Sequence, residues 1–493
     1  MTLASERPSG FAAAEEWHGG LRLLLVFALL SLALHLPGLV RPLFDADEAT
    51  VATVARAINA GAELYHDTAD RKPPVVPYIY AGVFRLTGDG ELRPVRAVAA
   101  LTLAVTALLL AREARRREGD AATGIWCGVL FLFATVTFFP SDVQAAGFEV
   151  FMLLPITAAV LSARRGRAVQ AGLWLALACL SKQTAVMTAL PVAYLVLRAG
   201  GWRALGRAAM ATVVPLAGTA LVFGPSEFLL WNLSGNAGYL GVGDSLGHAL
   251  LRGLGMTSAF VAFNVVVVGL VVIGAGRGRV TTDLWLWIAG AAVSVFAGLR
   301  FYGHYYLQLL PPLVLAAAPA IAEARRRWRP LPLLVVAPAV VLVAAGFLPF
   351  GTRNVVHYRE VAAVIRATTD SDDRIFVWGT YPELYWAGGR LPGTRFVHTG
   401  FVTGNTGGRR PGSGRPEDGI PGAWEMLVQD FSSNRPALVV DTSPTTIRNA
   451  RHYRLLDSPL AAVIRRDYRH VGTVRGLAFY RRVAPNPPAT SST

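Results

Sequence analysis

Apolar residues in this chain gather in long runs, separated by short polar connections that alternate in character. Runs near the 17 to 25 residues that cross a bilayer recur at 21–40, 94–111, 121–139, 149–163, 169–181, 184–198, 208–224, 249–273, 283–299, 304–322 and 331–350, which predicts about 11 transmembrane helices. Two stretches break the pattern. Residues 41–93 are too long for a turn: Ala49 to Ala60 permits a helix, Gly61 stops it, and Lys72-Pro73-Pro74 opens an aromatic-rich piece with Val75, Ile79, Val83 and Leu86 at helical spacing, which suits a helix in the headgroup region. Beyond Gly351 the long runs end. Arg374 to Trp378, Ala437 to Asp441 and Leu477 to Tyr480 read as strands, and Val355 to Thr368 and Ala423 to Phe431 as helices.

The expected fold is therefore a polytopic α-helical membrane protein with a C-terminal exported α/β domain. The expected domains are a cytoplasmic segment 1–20, a transmembrane body 21–350 with outer loop 41–93, an extracytoplasmic domain 351–483, and a disordered tail 484–493. The stretch 404–422, rich in Gly, Pro and Arg, reads as a mobile loop or lid. The chain lacks an internal repeat of the kind that builds many transporters.

Charge gives the orientation. Every second connection is basic, at Arg112 to Arg117, Arg164 to Arg167, Arg198 to Arg207, Arg277 to Arg279, and Arg325 to Arg329, and short cytoplasmic connections retain such an excess. This places the N-terminus in the cytoplasm, residues 41–93 outside, and everything past about residue 351 outside, in a multi-pass protein of the plasma (inner) membrane. No small-residue cleavage site follows His35-Leu36-Pro37, so the first run is expected to stay as an anchor. The net charge of +15 then reflects topology and contact with membrane lipids, with no nucleic-acid partner implied. Cys127 and Cys179 both fall in spans, so the exported region has no disulfide.

Candidate chemistry lies on the outer side. Asp45-Ala46-Asp47-Glu48 follows the first span directly, and carboxylates this near a membrane are costly unless they serve a purpose. Of the 47 basic residues only Lys72 and Lys182 are lysines, and both sit beside the outer surface. In an arginine-rich chain a retained lysine suits a site that wants a compact ammonium, such as one binding phosphate as a point charge. Glu149 opens the fourth span, and Arg300, His304, Tyr305 and Tyr306 join the ninth and tenth. An aromatic belt or solvated span ends account for these residues equally well one by one. Asp45, Asp47, Glu149 and His304 leave room for a divalent cation, although no compact spacing demands one and the metal stays unknown.

In order along the chain stand the pair Asp47-Glu48, Lys72-Pro73-Pro74 about 25 residues later, Glu149, Leu180-x-Lys182, and His304-Tyr305-Tyr306. This order over residues 20–325 resembles the GT-C class of membrane glycosyltransferases, and more narrowly the glycosyltransferase family 39-like group of protein O-mannosyltransferases and lipid A aminoarabinose transferases. The resemblance implies transfer of a sugar from a polyprenyl-phosphate donor to a hydroxyl acceptor at the outer face. The acceptor is a protein, glycolipid or polysaccharide that the sequence does not specify. It implies Asp47 as catalytic carboxylate, Glu48 as its neighbour, and Lys72 and Lys182 as ligands of the lipid phosphate.

The chemistry of the residues agrees. An attacking hydroxyl needs a base, which Asp47 or Glu149 would supply, and a phosphate leaving group needs nearby cations more than a general acid, which Lys72, Lys182 and Arg300 would supply. Asp45, His304, Tyr305 and Tyr306 remain as substrate-binding candidates. A single displacement inverts the anomeric centre. The competing readings are a lipid-linked sugar flippase or transporter, which needs charged groups lining a path through the spans, and a non-enzymatic envelope-polymer binding protein, which leaves the outer carboxylates and lysines without a reason.

Overall fold

The computed structural model describes residues 10–236, 246–327, 331–348, 357–405 and 412–483. The tail 484–493, part of the segment 1–20 and the middle of the 404–422 stretch lie outside the described residues.

The body is helical. Among the described residues four stretches are both long and apolar enough to cross a bilayer, Arg93–Glu118, Gln183–Val222, Leu246–Phe263 and Gly303–Arg325, and shorter apolar helices fill the space between them. Asp120 starts Ala121–Ala134 by accepting from the backbone N–H groups of Ala122 and Thr123, and left-handed Gly119 ends the helix before it. That pair of helices packs at contact distance because Gly124 and Gly128 carry no Cβ. A methyl at Gly124 would lie 2.5 Å from the Ala111 carbonyl oxygen, and one at Gly128 would lie 2.3 Å from the Phe27 ring.

Four expected spans differ in detail. The first helix, Gly10–Leu34, breaks at His35 and resumes as Leu36–Val40, with Pro37 in its first turn. The run at 249–273 is two helices, Leu246–Phe263 and Val265–Gly276. Asn264 between them turns its side chain to Thr137, bonding the Thr137 hydroxyl at 2.9 Å and donating to its carbonyl at 3.3 Å. The runs at 184–198 and 208–224 share one helical stretch, Ala189–Val222, interrupted by non-helical backbone at Gly200 and Gly201.

In the outer loop, Ala46–Asn59 and Val75–Thr87 are helices. The second buries Val76, Tyr80, Ala81 and Phe84, whereas the stripe expected from spacing, Val75, Ile79, Val83 and Leu86, is part-buried or exposed. Both faces of this helix are apolar, and the larger aromatics are what the body takes in.

The C-terminal region carries a four-stranded sheet in the order β1-β2-β4-β3: β1 is Ile375–Trp378, β2 Leu438–Asp441, β3 Tyr468–Val474 and β4 Leu477–Arg482. β1 and β2 are parallel, and β4 pairs antiparallel with both β2 and β3. β3 is the strand absent from the pattern reading. It is an edge strand with exposed Arg469, His470 and Val471, so it has no buried alternation to betray it. The ends of the supposed lid are anchored. Ile420 is buried and donates its N–H to the Phe401 carbonyl at 2.7 Å, and the Tyr453 hydroxyl donates to the Gly414 carbonyl at 3.0 Å.

This region sits on the outer loop. The Ala69 N–H donates to the Arg395 carbonyl at 3.0 Å in a parallel bridge of Ala69 with Phe396. Arg56 reaches the carbonyls of Tyr385 and Trp386 at 3.3 and 3.0 Å, and Trp231 packs against Phe396 and Phe401.

Candidate active site

Asp45 is extended and caps the helix Ala46–Asn59, its carboxylate accepting from the Asp47 N–H at 3.3 Å. The cap sets Asp47 in the first turn, where the helix dipole favours a carboxylate. Successive helical residues point about 100° apart, so Asp47 and its neighbour Glu48 separate. Asp47 turns to an open space, with its side chain 56% exposed. Glu48 turns inward and is fully buried, paired with two of the three Arg96 guanidinium nitrogens (Nε at 2.7 Å) and accepting from the Ala146 N–H at 3.2 Å. Its carboxylate joins Arg96 of the second span to the 140s, and Arg96 in turn donates to the carbonyls of Gly38 and Arg41.

The Lys72 ammonium donates to Asp47 at 3.0 Å and lies 4.4 Å from the centre of the Phe148 ring. Lys72 itself is held from behind, since its carbonyl accepts from the Tyr65 hydroxyl at 2.8 Å. Glu149, the next residue after Phe148, is buried in the first turn of Phe148–Arg164 and ion-paired with Lys182. Lys182 is the extended residue that ends Ala168–Ser181, and its ammonium stands 4.2 Å from the Tyr305 ring centre. The two lysines of the chain therefore converge on two consecutive residues. His304 completes the group: its Nδ1 donates to Asp142 at 3.1 Å, its Nε2 faces Glu149 at 3.7 Å, and its ring stacks on Tyr302.

The remaining candidates are placed differently. Arg300 is buried in the turn before His304, flanked by Leu299 and Phe301, both with left-handed backbone (φ 49° and 53°). Two such residues on either side of a buried cation are costly and cluster at working sites. Tyr306 turns away: its ring lies against Phe138 and Phe260 and its hydroxyl bonds Thr257 at 2.9 Å, so it belongs to the apolar core. Among the described residues no group of three or more His, Cys, Asp or Glu gathers as metal ligands.

The acidic cluster is electrostatically divided. Burial and the neighbouring Asp47 charge push Asp45 up to about 7, while the Lys72 ammonium holds Asp47 well below the usual carboxylate range. Burial pulls Lys72 down, but Asp47 and Asp70 outweigh it and keep the ammonium firmly charged. His398, from the C-terminal region, also faces this group: burial and the positive charge of Arg71 depress it to about 3, against an opposing pull from Asp47. Groups from the outer loop, the body and the C-terminal region thus surround Asp47, yet its carboxylate remains accessible, which is the arrangement of a wetted cavity.

Asp142, Arg96 and His398 were not singled out from sequence. Asp142 had a signal, because it lies in the short connection that leads into the helix opened by Phe148 and Glu149. Arg96 sits at a span start where an arginine reads as a snorkelling end, and His398 is more than 300 residues from Asp47 in a region with no readable motif.

Residues 71–231 match the family model described as dolichyl-phosphate-mannose-protein mannosyltransferase. The comparison with curated proteins returned no match. Among solved structures, the chain is similar to ArnT from Cupriavidus metallidurans in the apo state, at 16% identity and TM-score 0.59, over 96% of this chain and 98% of that one. It is also similar to ArnT from the same organism bound to undecaprenyl phosphate, at 14% identity and TM-score 0.54, over 94% and 98%. The likeness is one of fold, that of a polytopic GT-C membrane protein, and with the family match it bears out the resemblance that the motif order carries.

Proposed function

We propose that this chain, a GT-C-type membrane protein by fold, is an inverting glycosyltransferase that moves a hexosyl or pentosyl unit from a polyprenyl-phosphate donor to a hydroxyl acceptor at the outer face of the inner membrane. The observation that carries the reading is the pairing of an accessible Asp47 with Lys72 at 3.0 Å, beside a second buried pair of Glu149 with Lys182. Two carboxylates poised against two ammonium groups suit a reaction that needs a base on one side and a phosphate clamp on the other. Undecaprenyl phosphate bound to a protein of this fold supports a polyprenyl-phosphate donor.

In this reading the donor phosphate draws Lys72 and Lys182 to itself, with Arg300 as a third cation. Loss of the Lys72 contact raises the basicity of Asp47. The acceptor oxygen attacks the anomeric carbon as its proton passes to Asp47, the bond from that carbon to the phosphate oxygen breaks, and the electron pair leaves with the polyprenyl phosphate. Glu149 holds Lys182, and the Asp142–His304 pair fixes the other side of Glu149. Glu48 is assigned to positioning: with Arg96 it anchors the helix that carries Asp47. Tyr305 lines the site and Tyr306 supports it from the core. We read the body as about 11 crossings with the N-terminus cytoplasmic and residues 351–483 as an exported α/β domain, in keeping with the arginine-rich connections.

The test is sugar transfer by purified protein in lipid, given undecaprenyl-phosphate sugars and an envelope extract, wild type against Asp47→Asn. Donor consumption by wild type that vanishes in the variant is the expected result. Equal consumption by both would move the base elsewhere, and binding of undecaprenyl phosphate without consumption would favour a flippase.

A further inference from the structure

A groove of about 840 Å³ opens on the outside of the helical body, far from the acidic cluster. It runs between the start of Ala168–Ser181, at Val169 and Leu173, and the part of Ala189–Val222 that follows the Gly200–Gly201 break, at Arg203, Arg207, Met210 and Val214. The last four recur at helical spacing and share one face, so the groove has two arginines at one end and an apolar trough beyond them. From Arg203 to Val214 the face extends about 16 Å, close to the depth of one bilayer leaflet. Val169 and Lys182 lie at opposite ends of their helix, about 20 Å apart along the axis, so this groove is separate from the transfer site.

Some arginines of the other basic connections are ion-paired, and others, such as Arg115 and Arg279, have no carboxylate partner among the described residues. Glu113 serves Arg116, Arg164 and Arg165, Glu323 serves Arg277, and Asp120 serves Arg325. Among the described residues no carboxylate pairs with Arg203 or Arg207; the Arg207 Nε–H donates only to the Arg203 carbonyl, at 3.4 Å. Trp202, next to Arg203, is 79% exposed, and an outward-facing tryptophan marks the headgroup level of a membrane. The floor of the groove is open at Gly206, where an added methyl would meet nothing within 4 Å.

The geometry points to a specific site for an anionic diacyl phospholipid, its phosphate held by Arg203 and Arg207 and an acyl chain laid along Leu173, Met210 and Val214. A zwitterionic lipid would offer its phosphate with a compensating ammonium, so the paired arginines select for net negative charge. Unlike diffuse attraction to a charged surface, such a site saturates and depends on these two side chains.

The experiment is native mass spectrometry of the full-length protein from phosphatidylcholine nanodiscs titrated with phosphatidylglycerol. Wild type is expected to retain phosphatidylglycerol saturably. Arg203→Gln with Arg207→Gln should weaken retention by about fivefold for each arginine, roughly 25-fold together. A control pair from other basic connections, Arg115→Gln with Arg279→Gln, should change it less than about twofold. Gly206→Leu, which fills the trough and keeps both charges, should also weaken it, and this variant carries the test if the arginine pair fails to fold. Equal loss in both arginine pairs would reduce the effect to diffuse surface charge and overturn the site. Displacement of phosphatidylglycerol by equimolar undecaprenyl phosphate would overturn the assignment of the occupant.

Discussion

At the scale of single residues, the site is built on neighbours that face different ways. Asp45, Asp47 and Glu48 lie within one helical turn, yet one caps, one faces the cavity and one is buried with Arg96. Their substitutions should separate accordingly. Asp47→Asn should lower transfer by about 100-fold or more while the protein keeps its melting temperature, measured by turnover and thermal unfolding in the same detergent. Glu48→Gln should instead cost about 3 to 5 kcal/mol of stability, because it leaves the Arg96 charge buried without its partner; an unchanged unfolding temperature would contradict that role. Asp45 gives a pH signature. Its carboxyl titrates near 7 in the fold, so as pH rises through 7 a negative charge appears beside Asp47 and makes it a better base. The rate should therefore climb through pH 7 in wild type, and Asp45→Asn should flatten that limb. The sign for stability is opposite: a carboxyl raised from 3.8 favours the folded state when protonated, so its contribution falls between about pH 4 and 7.

At the scale of elements, the sequence pattern located helices well and their breaks poorly. Hydropathy marks where a run begins and ends, but the interruption at Asn264 depends on a hydrogen bond to Thr137, 127 residues away. The close packing of Ala121–Ala134 on Arg93–Glu118 rests on Gly124 and Gly128, whose missing side chains matter only because of what other helices place against them. Gly128→Leu should force the Phe27 ring aside and destabilise by about 1 to 3 kcal/mol or more, read as a lower unfolding temperature with no change in the affinity for undecaprenyl phosphate. The edge strand β3 escaped for the reverse reason: its exposed polar face leaves no periodic signal, and only pairing with β4 makes it a strand.

At the scale of the whole molecule, the C-terminal region is seated on the loop 41–93 through Ala69 and Arg56 and on the helix Pro225–Asn232 through Trp231. It brings His398 to the acidic cluster, so the cavity has a wall from each part of the chain. The proposed orientation is open to a direct check. In a background with Cys127 and Cys179 replaced, Arg165→Cys should resist a membrane-impermeant thiol reagent added from outside, and Glu360→Cys should react. Labelling of both, or of the first alone, would reverse or refute the arginine rule for this chain.

By itself the sequence determined the helical membrane body, its arginine-rich connections, the strands with apolar cores, and the residue types from which the candidate site is drawn. These are legible because burial in lipid and in sheets imposes local periods, and because a carboxylate or lysine beside a membrane is conspicuous against an apolar background. Only the tertiary structure decided which of those residues meet. The pairing of Lys72 with Asp47, of Lys182 with Glu149, and of His304 with Asp142 joins positions 25 to 162 residues apart. Only it turned Glu48 and Tyr306 away from the cavity and brought His398 toward it. The reason is physical: local pattern fixes which way a side chain points on its own helix, whereas what it meets there depends on how helices distant in sequence cross.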